Sequence, residues 1–392
     1  SGATRRRLMQ ASFPPLSLYL HLPWCVRKCP YCDFNSHRAG DAAEFDRYAD
    51  ALLADVQQEA ARADGRIVES IFIGGGPPSL FSADAIGRIL AQCQDVLSLD
   101  TDCEITMEAN PGTVEHGKLA GYRHAGVNRL SLGAQSFDSG MLQLLGRIHG
   151  PDDIRRAFDE ADAAGFDSIN LDVMFALPGQ DVALALADLE AAVSLGPSHL
   201  SWYQLTLEPN TVFHRAPPSG IPDDGLAWEI QEAGQALLAA AGFDQYEVSA
   251  YARQGHRCRH NLNYWTFGDY LAAGAGAHGK LTVGSKDRYR YSKPAHPRAY
   301  MEFIERGDEA QRIPIPDSDI EFEFMLNALR LTEGFSSSLY ESRTGRSVGG
   351  ANDTLGAAAA DGLMQLSGDD QWRPTPRGFQ FLNDLQARFL PA

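Results

Sequence analysis

The chain has 392 residues, and its 34 basic and 51 acidic residues give a net charge of −17. This charge repels nucleic acids and anionic lipids unless a local patch of the protein surface reverses it. The composition, 44% hydrophobic and 22% charged, is typical of a soluble globular protein, and the length predicts two domains, one of them large. No apolar stretch is long enough to span a membrane, and none follows Arg5, Arg6 and Arg7, so we expect a cytoplasmic protein.

The first half of the chain alternates predicted strands with predicted helices. Apolar or alternating runs predict strands over residues 16–22, 70–76, 103–110, 127–136, 167–179 and 199–209. The helical spacing of apolar residues predicts helices over residues 41–64, 82–97, 113–125, 138–163 and 181–195. Six successive β-α units predict an α/β fold with a parallel sheet, either an incomplete (β/α)6 TIM-like barrel or a doubly wound sheet.

Polar residues and glycines collect where these predicted strands end. Because the carboxyl ends of parallel strands meet at one edge of a sheet, that edge is where a site is expected. The residues concerned are His21, Cys25, Gly74, Gly75, Gly76, Glu108, Gln135, Asp172 and Thr206.

The second half of the chain does not continue the regular alternation of predicted strands and helices. A Pro-rich loop (208–225), a helix (228–241) and a strand region (242–253) precede a segment dense in His, aromatic residues and Gly (256–280). From about residue 314 a smaller α+β unit is predicted, with helices over 319–331, 336–343, 353–361 and 379–389 and a hairpin over 362–375. This pattern is winged-helix-like, but residues 317–392 hold 11 acidic residues, six arginines and no lysine, which favours a lid or packing module over DNA binding. We therefore expect a core domain over 10–245, a connecting segment over 246–310 and a C-terminal domain over 311–392.

Three of the six cysteines, Cys25, Cys29 and Cys32, form a C-x3-C-x2-C cluster. Clustered thiols in a cytoplasmic chain indicate metal binding rather than a disulfide framework. A zinc site would need a fourth ligand such as His21 or His37, and this spacing is not the usual zinc pattern. Arg27 and Lys28 lie between the thiols, and we expect their charge to lower the thiol pKa.

The C-x3-C-x-aromatic-C spacing, with Tyr31 before Cys32 and a glycine triplet after the next strand, resembles the radical S-adenosylmethionine (SAM) superfamily. The resemblance implies a [4Fe–4S] cluster held by the three cysteines, whose fourth iron binds the amino and carboxylate groups of SAM. It extends along most of the chain through "YLHLPWC", "GGGPPS", "MEANPGT", "RLSLGAQSF", "LLGRIH", "NLDVMFALPGQ", "HNLNYW" and "FEFMLNALRL". Together these segments are similar to the branch that contains oxygen-independent coproporphyrinogen III oxidase and the HemW-type haem chaperones.

The resemblance also implies which residues contact SAM. They are Tyr19, Tyr31, Asp33, Gly75, Gly76, Pro77, Glu108, Gln135, Arg147, Asp172, Thr206 and His278. Arg147 suits the carboxylate of SAM, and carboxylate or amide oxygens suit its ribose hydroxyls. The sequence departs from the family pattern at Pro77, where threonine is usual, and at Ala176, where glycine is usual.

Two features separate the branches of this family. The oxidase branch carries a further cysteine two positions after the third ligand, where this chain has Phe34, and "CDFNSH" and "HNLNYW" have the haem-chaperone form. The resemblance therefore implies haem as cargo, with His260 as candidate axial ligand and Tyr264 and Trp265 as flat apolar walls. A hydrogen-bonded histidine in an aromatic cluster is the alternative role for His260.

Other haem ligands and other functions stay open at this stage. Cys258 and His256 are rival ligands. Radical decarboxylation of coproporphyrinogen III is the alternative function. A haem chaperone implies apo-haemoproteins as acceptors, and the resemblance leaves open a homodimer and contact with a membrane surface.

Overall fold

The computed structural model describes residues 13–113, 117–284, 287–368 and 370–391. The strands of these residues are β1 (Leu16–Leu22), β2 (Trp24–Cys25), β3 (His37–Arg38), β4 (Ile67–Gly75), β5 (Ser98–Ala109), β6 (Arg129–Gln135), β7 (Ser168–Phe175), β8 (His199–Gln204), β9 (Asp244–Glu247), β10 (Ala250–Ala252), β11 (Asp269–Ala273), β12 (His278–Val283), β13 (Asp287–Ser292), β14 (Ile313–Pro314), β15 (Phe335–Ser336), β16 (Met364–Ser367) and β17 (Gln371–Pro374).

The helices of the described residues alternate with these strands. They are α1 (Ala42–Ala63), α2 (Ala83–Val96), α3 (Lys118–His124), α4 (Ser139–Leu144), α5 (Pro151–Ala164), α6 (Val182–Ser194), α7 (Val212–Arg215), α8 (Asp224–Ala240), α9 (Arg259–Trp265), α10 (Pro297–Glu305), α11 (Ile320–Ala328), α12 (Ser337–Thr344), α13 (Asn352–Ala360), α14 (Pro376–Gln380) and α15 (Leu382–Ala387). None of them, within the part of the chain that the structure describes, is long and apolar enough to cross a membrane.

One sheet of 12 strands organises the molecule, in the order β14-β13-β12-β11-β1-β4-β5-β6-β7-β8-β10-β9. Strands β1, β4, β5, β6, β7 and β8 are parallel neighbours, which confirms the six predicted β-α units. Their apolar runs are buried on both faces, as expected for a parallel sheet covered by helices. The two outermost strands of the described sheet, β14 and β9, do not pair with each other, so the barrel is open and incomplete.

The structure corrects the predicted sheet at both ends. Strand β11 pairs in parallel with β1, so a seventh parallel strand comes from the connecting segment. The predicted strand over 242–253 is the antiparallel pair β9–β10. Antiparallel strands therefore extend the parallel core on each side.

The predicted helix over 138–163 is wrong as a single element. The chain forms α4 and α5 instead, with Gly146 at a φ of +70° and Pro151 at the start of α5. A left-handed glycine and a proline end one helix and begin the next, because neither is compatible with a helix interior. The predicted helix over 379–389 is likewise two helices, α14 and α15, separated at Phe381.

The connecting segment is attached to the first helix by buried charges. Lys293 Nζ lies 2.5 Å from Asp55 Oδ1 and 3.0 Å from Glu59 Oε1, and all three side chains are completely buried. Such a group is stable only while its charges remain paired.

The C-terminal residues form a smaller α+β unit, as predicted. A sheet in the order β15-β17-β16 packs with α11–α15 around a separate apolar core. Phe267, just after α9, also belongs to that core, and Arg343 Nε donates to the Thr266 carbonyl oxygen over 3.1 Å. The C-terminal unit thus holds the end of α9 in place.

Candidate functional site

A cavity of about 480 Å³ opens at the carboxyl ends of the parallel strands. Its volume lies in the range of small-molecule sites. Most of the residues that the sequence singled out line it: Cys25, Cys29, Tyr31, Cys32, Asp33, Gly75, Gly76, Pro77, Glu108, Gln135, Arg147, Asp172 and Thr206.

Cys25 ends β2, and Cys29 and Cys32 lie on the loop between β2 and β3, which pair in parallel with each other. The loop is tightened by a hydrogen bond from the Cys32 N–H to the Cys29 carbonyl oxygen, 3.2 Å long. The thiols are half-buried and free of disulfides. They therefore present three separate sulfur ligands to one cavity.

Burial outweighs the expected effect of the basic residues on the thiols, because Lys28 lowers the pKa of Cys25 and Cys32 by less than burial raises it. Burial raises the pKa of Cys25 to about 11, against which a hydrogen bond with Ser36 acts, and burial also raises the pKa of Cys32. The basic side chains are exposed, so water screens their charge. Binding a metal cluster here would displace protons from the thiols.

The arrangement of the cysteines, His21 and His37 does not favour a zinc site. Within the described ranges, no three His, Cys, Asp or Glu side chains converge on a position for one metal ion. His21 is engaged at both ring nitrogens, by the Tyr19 hydroxyl at 3.0 Å and the Asn35 carbonyl oxygen at 2.8 Å. His37 Nε2 is 3.0 Å from Asn35 Oδ1. Thiols spread around a cavity suit a cubane cluster better, because each thiolate there binds a different iron.

Arg147 lies between α4 and α5, and its side chain lines the cavity. Its Nη1 donates to Cys29 Sγ over 3.7 Å, and its Nη2 donates to the Gly133 carbonyl oxygen over 2.8 Å. Its buried Nε has no hydrogen-bond partner among the described residues. A buried donor without a partner beside a cavity is a suitable contact for an anionic group.

Two carboxylates face the cavity from neighbouring parts of the sheet. Glu108 Oε2 accepts from the Gly75 N–H over 3.2 Å, while burial and the nearby Asp172 raise the pKa of Glu108 to about 8. Asp172 accepts from Ser131 Oγ at 3.0 Å and from Asn170 Nδ2 at 2.8 Å, and burial raises its pKa. These oxygens are held in place to accept hydrogen bonds from hydroxyl or ammonium groups.

Gln135 ends β6 with a φ of +69°, a conformation that a non-glycine residue adopts only where its surroundings fix it. Its Oε1 accepts from the Tyr203 hydroxyl over 2.6 Å. Tyr203 also lines the cavity and was missed by the sequence analysis. Strand alternation could have found it, because Tyr203 and Ser201 share one face of β8.

The glycine triplet acts through close backbone packing. A Cβ on Gly76 would lie 2.2 Å from the Trp24 carbonyl oxygen, so the glycine lets the cysteine loop pack onto the end of β4. Pro77 lines the cavity and precedes a 3₁₀ turn over Pro78–Leu80. Ala176 has a φ of +55°, which explains in physical terms why glycine is usual there.

Tyr19 and His278 do not line the cavity. The Tyr19 hydroxyl instead contacts His21, which lies at the end of β1. His278 is exposed at the start of β12, where it pairs with Ser292.

His260 lies deep in the barrel, toward the amino ends of the strands and away from the cavity. Its Nδ1 is 3.2 Å from Ser70 Oγ and its Nε2 is 3.2 Å from the Tyr264 hydroxyl. Burial and the nearby Arg129 lower its pKa to about 3, so the ring is neutral. The first N–H groups of α9, including that of His260, donate to the Glu104 carboxylate. The structure thus buries His260 and Asn263 and leaves the other residues of the motif half-buried.

Comparison with known proteins agrees with this architecture. A family model described as the Radical SAM superfamily matches residues 19–189, and one described as the HemN C-terminal domain matches residues 315–381. The heme chaperone HemW of Escherichia coli is 48% identical over 377 residues, which span 96% of this chain and 98% of that protein. The chain belongs to the HemW family. The HemW protein of Haemophilus influenzae is 46% identical over 383 residues, with 96% of this chain and 98% of that protein covered.

The fold of this HemW-family chain is also that of a solved enzyme. The structure of coproporphyrinogen III oxidase (HemN) from Escherichia coli superimposes with a TM-score of 0.81 and covers 98% of this chain and 92% of that chain. The two sequences are 22% identical, so this likeness establishes the fold. Membership of the radical SAM superfamily implies a [4Fe–4S] cluster and SAM as cofactors.

Proposed function

We propose that the protein is a haem chaperone, which binds haem, a [4Fe–4S] cluster and SAM and transfers the haem to apo-haemoproteins. The observation that carries the proposal is the 48% identity to the heme chaperone HemW of Escherichia coli over 96% of this chain.

In this proposal Cys25, Cys29 and Cys32, which line the cavity, would hold the cluster. The unpartnered Nε of Arg147 supports its assignment to the carboxylate of SAM. When bound and reduced, the cluster supplies single electrons to the sulfonium of SAM. The remaining contacts are assigned to cavity residues, namely Tyr31, Asp33, Gly75, Gly76, Pro77, Glu108, Gln135, Asp172 and Thr206.

Phe34 supports haem delivery over coproporphyrinogen oxidation. Its side chain is 59% exposed at the cavity, where it presents an aromatic surface at the position of the further thiol of the oxidase branch. An exposed aromatic ring can stack on a flat apolar cargo, whereas it offers no group for proton or electron transfer.

We keep His260 as the candidate haem ligand, with a structural condition. Its two ring nitrogens are engaged by Ser70 and Tyr264, so ligation requires one of these hydrogen bonds to break and α9 to move. Cys258 is also buried, 3.5 Å from Glu104 Oε1, whereas His256 is half-exposed. His256 is therefore the rival that needs the smaller rearrangement.

The proposal includes a cytoplasmic location, contact with membrane surfaces when the acceptor is membrane-bound, and a homodimer. It also keeps the division into a core domain over 10–245, a connecting segment over 246–310 and a C-terminal domain over 311–392.

The test is haem transfer by the reconstituted protein under anaerobic conditions. Protein loaded with haem, SAM and reductant should restore activity to an apo-haemoprotein, and a Cys29→Ala variant should not. Decarboxylation of coproporphyrinogen III to protoporphyrinogen IX at enzymatic rates would refute the chaperone function in favour of the oxidase.

The haem ligand is tested by the Soret band of matched histidine variants. His260→Ala should abolish the band, whereas His278→Ala should leave it unchanged because His278 begins β12, outside the segment 256–260 that carries the candidate ligands. An unchanged band in His260→Ala, with loss in His256→Ala, would move the assignment to His256.

A further inference from the structure

Asn35 lies just beyond Cys32, and both of its amide hydrogens and its side-chain oxygen are hydrogen-bonded. Its Nδ2 donates to the Ala275 carbonyl oxygen at 2.9 Å and to the Ala295 carbonyl oxygen at 2.8 Å. Its Oδ1 lies 3.0 Å from His37 Nε2, which donates to it. A single amide therefore joins the cysteine loop to two segments that are distant in the sequence.

The main chain of Asn35 is also fixed. Its carbonyl oxygen lies 2.8 Å from His21 Nε2, and the opposite nitrogen of that ring lies 3.0 Å from the Tyr19 hydroxyl. The carbonyl oxygen can only accept, so His21 donates to it through Nε2, and burial lowers the pKa of His21. The end of β1 and the end of the cysteine loop are thus held together.

Two glycines of the connecting segment make room for this contact. A Cβ on Gly276 would lie 2.4 Å from Asn35 Nδ2, and a Cβ on Gly274 would lie 2.3 Å from the His21 carbonyl oxygen. Both glycines have positive φ, so their backbone also favours glycine. We call residues 274–277 together with Ala295 the cradle.

The cradle is rigid because α1 holds it. Asp55 Oδ2 accepts from the Gly274 N–H over 3.0 Å. The Tyr48 hydroxyl accepts from the Ala275 N–H over 2.8 Å and donates to the His21 carbonyl oxygen over 2.7 Å. The partner of Asn35 is therefore a fixed surface rather than a mobile loop.

We propose that Asn35 is the residue that positions the cluster-binding loop, by fastening it to the cradle. Asn35 does not line the cavity, and both its amide hydrogens and its oxygen are already used, so it acts through the neighbouring cysteines rather than as a ligand. The inference rests on the proposed function only in taking Cys25, Cys29 and Cys32 as the cluster ligands.

The first test uses iron-free protein and measures the alkylation rate of each cysteine by mass spectrometry. Asn35→Asp keeps the shape but places a carboxylate oxygen against two carbonyl oxygens. It should raise the alkylation rates of Cys29 and Cys32 about tenfold, the expected effect of removing one or two hydrogen bonds. Asn128→Asp is the control, because Asn128 also bridges two backbone groups, at Cys103 and Ile105, away from the cavity.

A second variant disrupts the contact between Asn35 and the cradle by changing a residue of the cradle. Gly276→Ala should also raise the alkylation rates, whereas Gly307→Ala should not. The two glycines have nearly equal φ, +71° and +72°, but a Cβ on Gly307 meets nothing within 4 Å. The pair separates loss of the Asn35 contact from backbone strain.

The third measurement distinguishes positioning from general stabilisation. After reconstitution, Asn35→Asp should weaken SAM binding about fivefold or more while its thermal midpoint stays close to that of Asn128→Asp. Alkylation rates and SAM affinity in both Asn35→Asp and Gly276→Ala within twofold of their controls would overturn the inference. A Cys29→Ala protein that keeps wild-type iron content would instead overturn the proposed cluster ligands.

Discussion

Glu108 should make the stability of the iron-free protein depend on pH. Burial and the Asp172 carboxylate raise its pKa to about 8 from an ordinary 4.5, although the Gly75 N–H acts in the opposite direction. Because the folded pKa lies above the unfolded one, this group favours the folded state at low pH. Its contribution is complete below about pH 4.5 and is lost as the pH rises through about 8.

The magnitude follows from the same shift. A difference of about 3.5 pH units corresponds to at most about 5 kcal/mol, at about 1.36 kcal/mol per unit. Glu108 is half-buried and faces a cavity that admits water, so we expect about 2 kcal/mol. Glu108→Gln removes the titration and should therefore be more stable than the wild type at pH 8, but not at pH 5.

The assay is urea unfolding of iron-free protein at pH 5, 6.5 and 8, followed by circular dichroism. The difference in the free energy of unfolding between Glu108→Gln and wild type should grow steadily with pH. Glu302→Gln is the control, because it removes a carboxylate that is exposed on α10. Its free energy of unfolding should change with pH in the same way as that of the wild type. A Glu108→Gln curve that stays equally displaced at all three pH values would refute the reasoning.

Three other substitutions test the site and its support. Gly76→Ala should impair cluster binding, because its Cβ would lie 2.2 Å from the Trp24 carbonyl oxygen. The iron content after reconstitution should fall severalfold relative to that of Gly150→Ala. Gly150 is the control because a Cβ there meets nothing within 4 Å. Arg147→Met should weaken SAM binding about tenfold or more, the expected effect of losing a charged hydrogen bond, as measured by equilibrium dialysis. Unchanged affinity would contradict the assignment of Arg147 to the carboxylate of SAM. Lys293→Met should lower the free energy of unfolding, measured by urea titration, by about 3–5 kcal/mol, because Asp55 and Glu59 stay buried without their cation. A loss below about 1 kcal/mol would contradict this reasoning.

The parallel core was predictable because each strand is a continuous apolar run with a helical pattern behind it. Strand β11 was not, because it begins with Asp269 and runs into a Gly/Ala-rich stretch that has no strand signature. Asp269 is buried there because Arg66 pairs with it at 2.8 Å, a long-range contact that local pattern does not encode. The break between α4 and α5 had a visible signal, the Gly150–Pro151 pair, that periodicity masked.

The cavity residues were predictable where they end strands or belong to a motif. Asn35 was not singled out, because its importance depends on the two carbonyl oxygens of Ala275 and Ala295. His278 was expected near the cofactor; it does not line the cavity, whereas its neighbours Gly274 and Gly276 pack against His21 and Asn35. Sequence motifs locate chemistry, whereas support from distant segments appears only in three dimensions.

The pairing of β1 with β11 sets an order for biosynthesis. Cys25, Cys29 and Cys32 leave the ribosome early, but the strand beside β1 and the cradle under Asn35 end only at residue 295. Because a nascent chain folds as its partners emerge, the contacts of Asn35 with Ala275 and Ala295 form later than the packing of the cysteine loop onto the end of β4. The neighbour of β1 on this side of the sheet is therefore made later than the six parallel strands β1 and β4–β8.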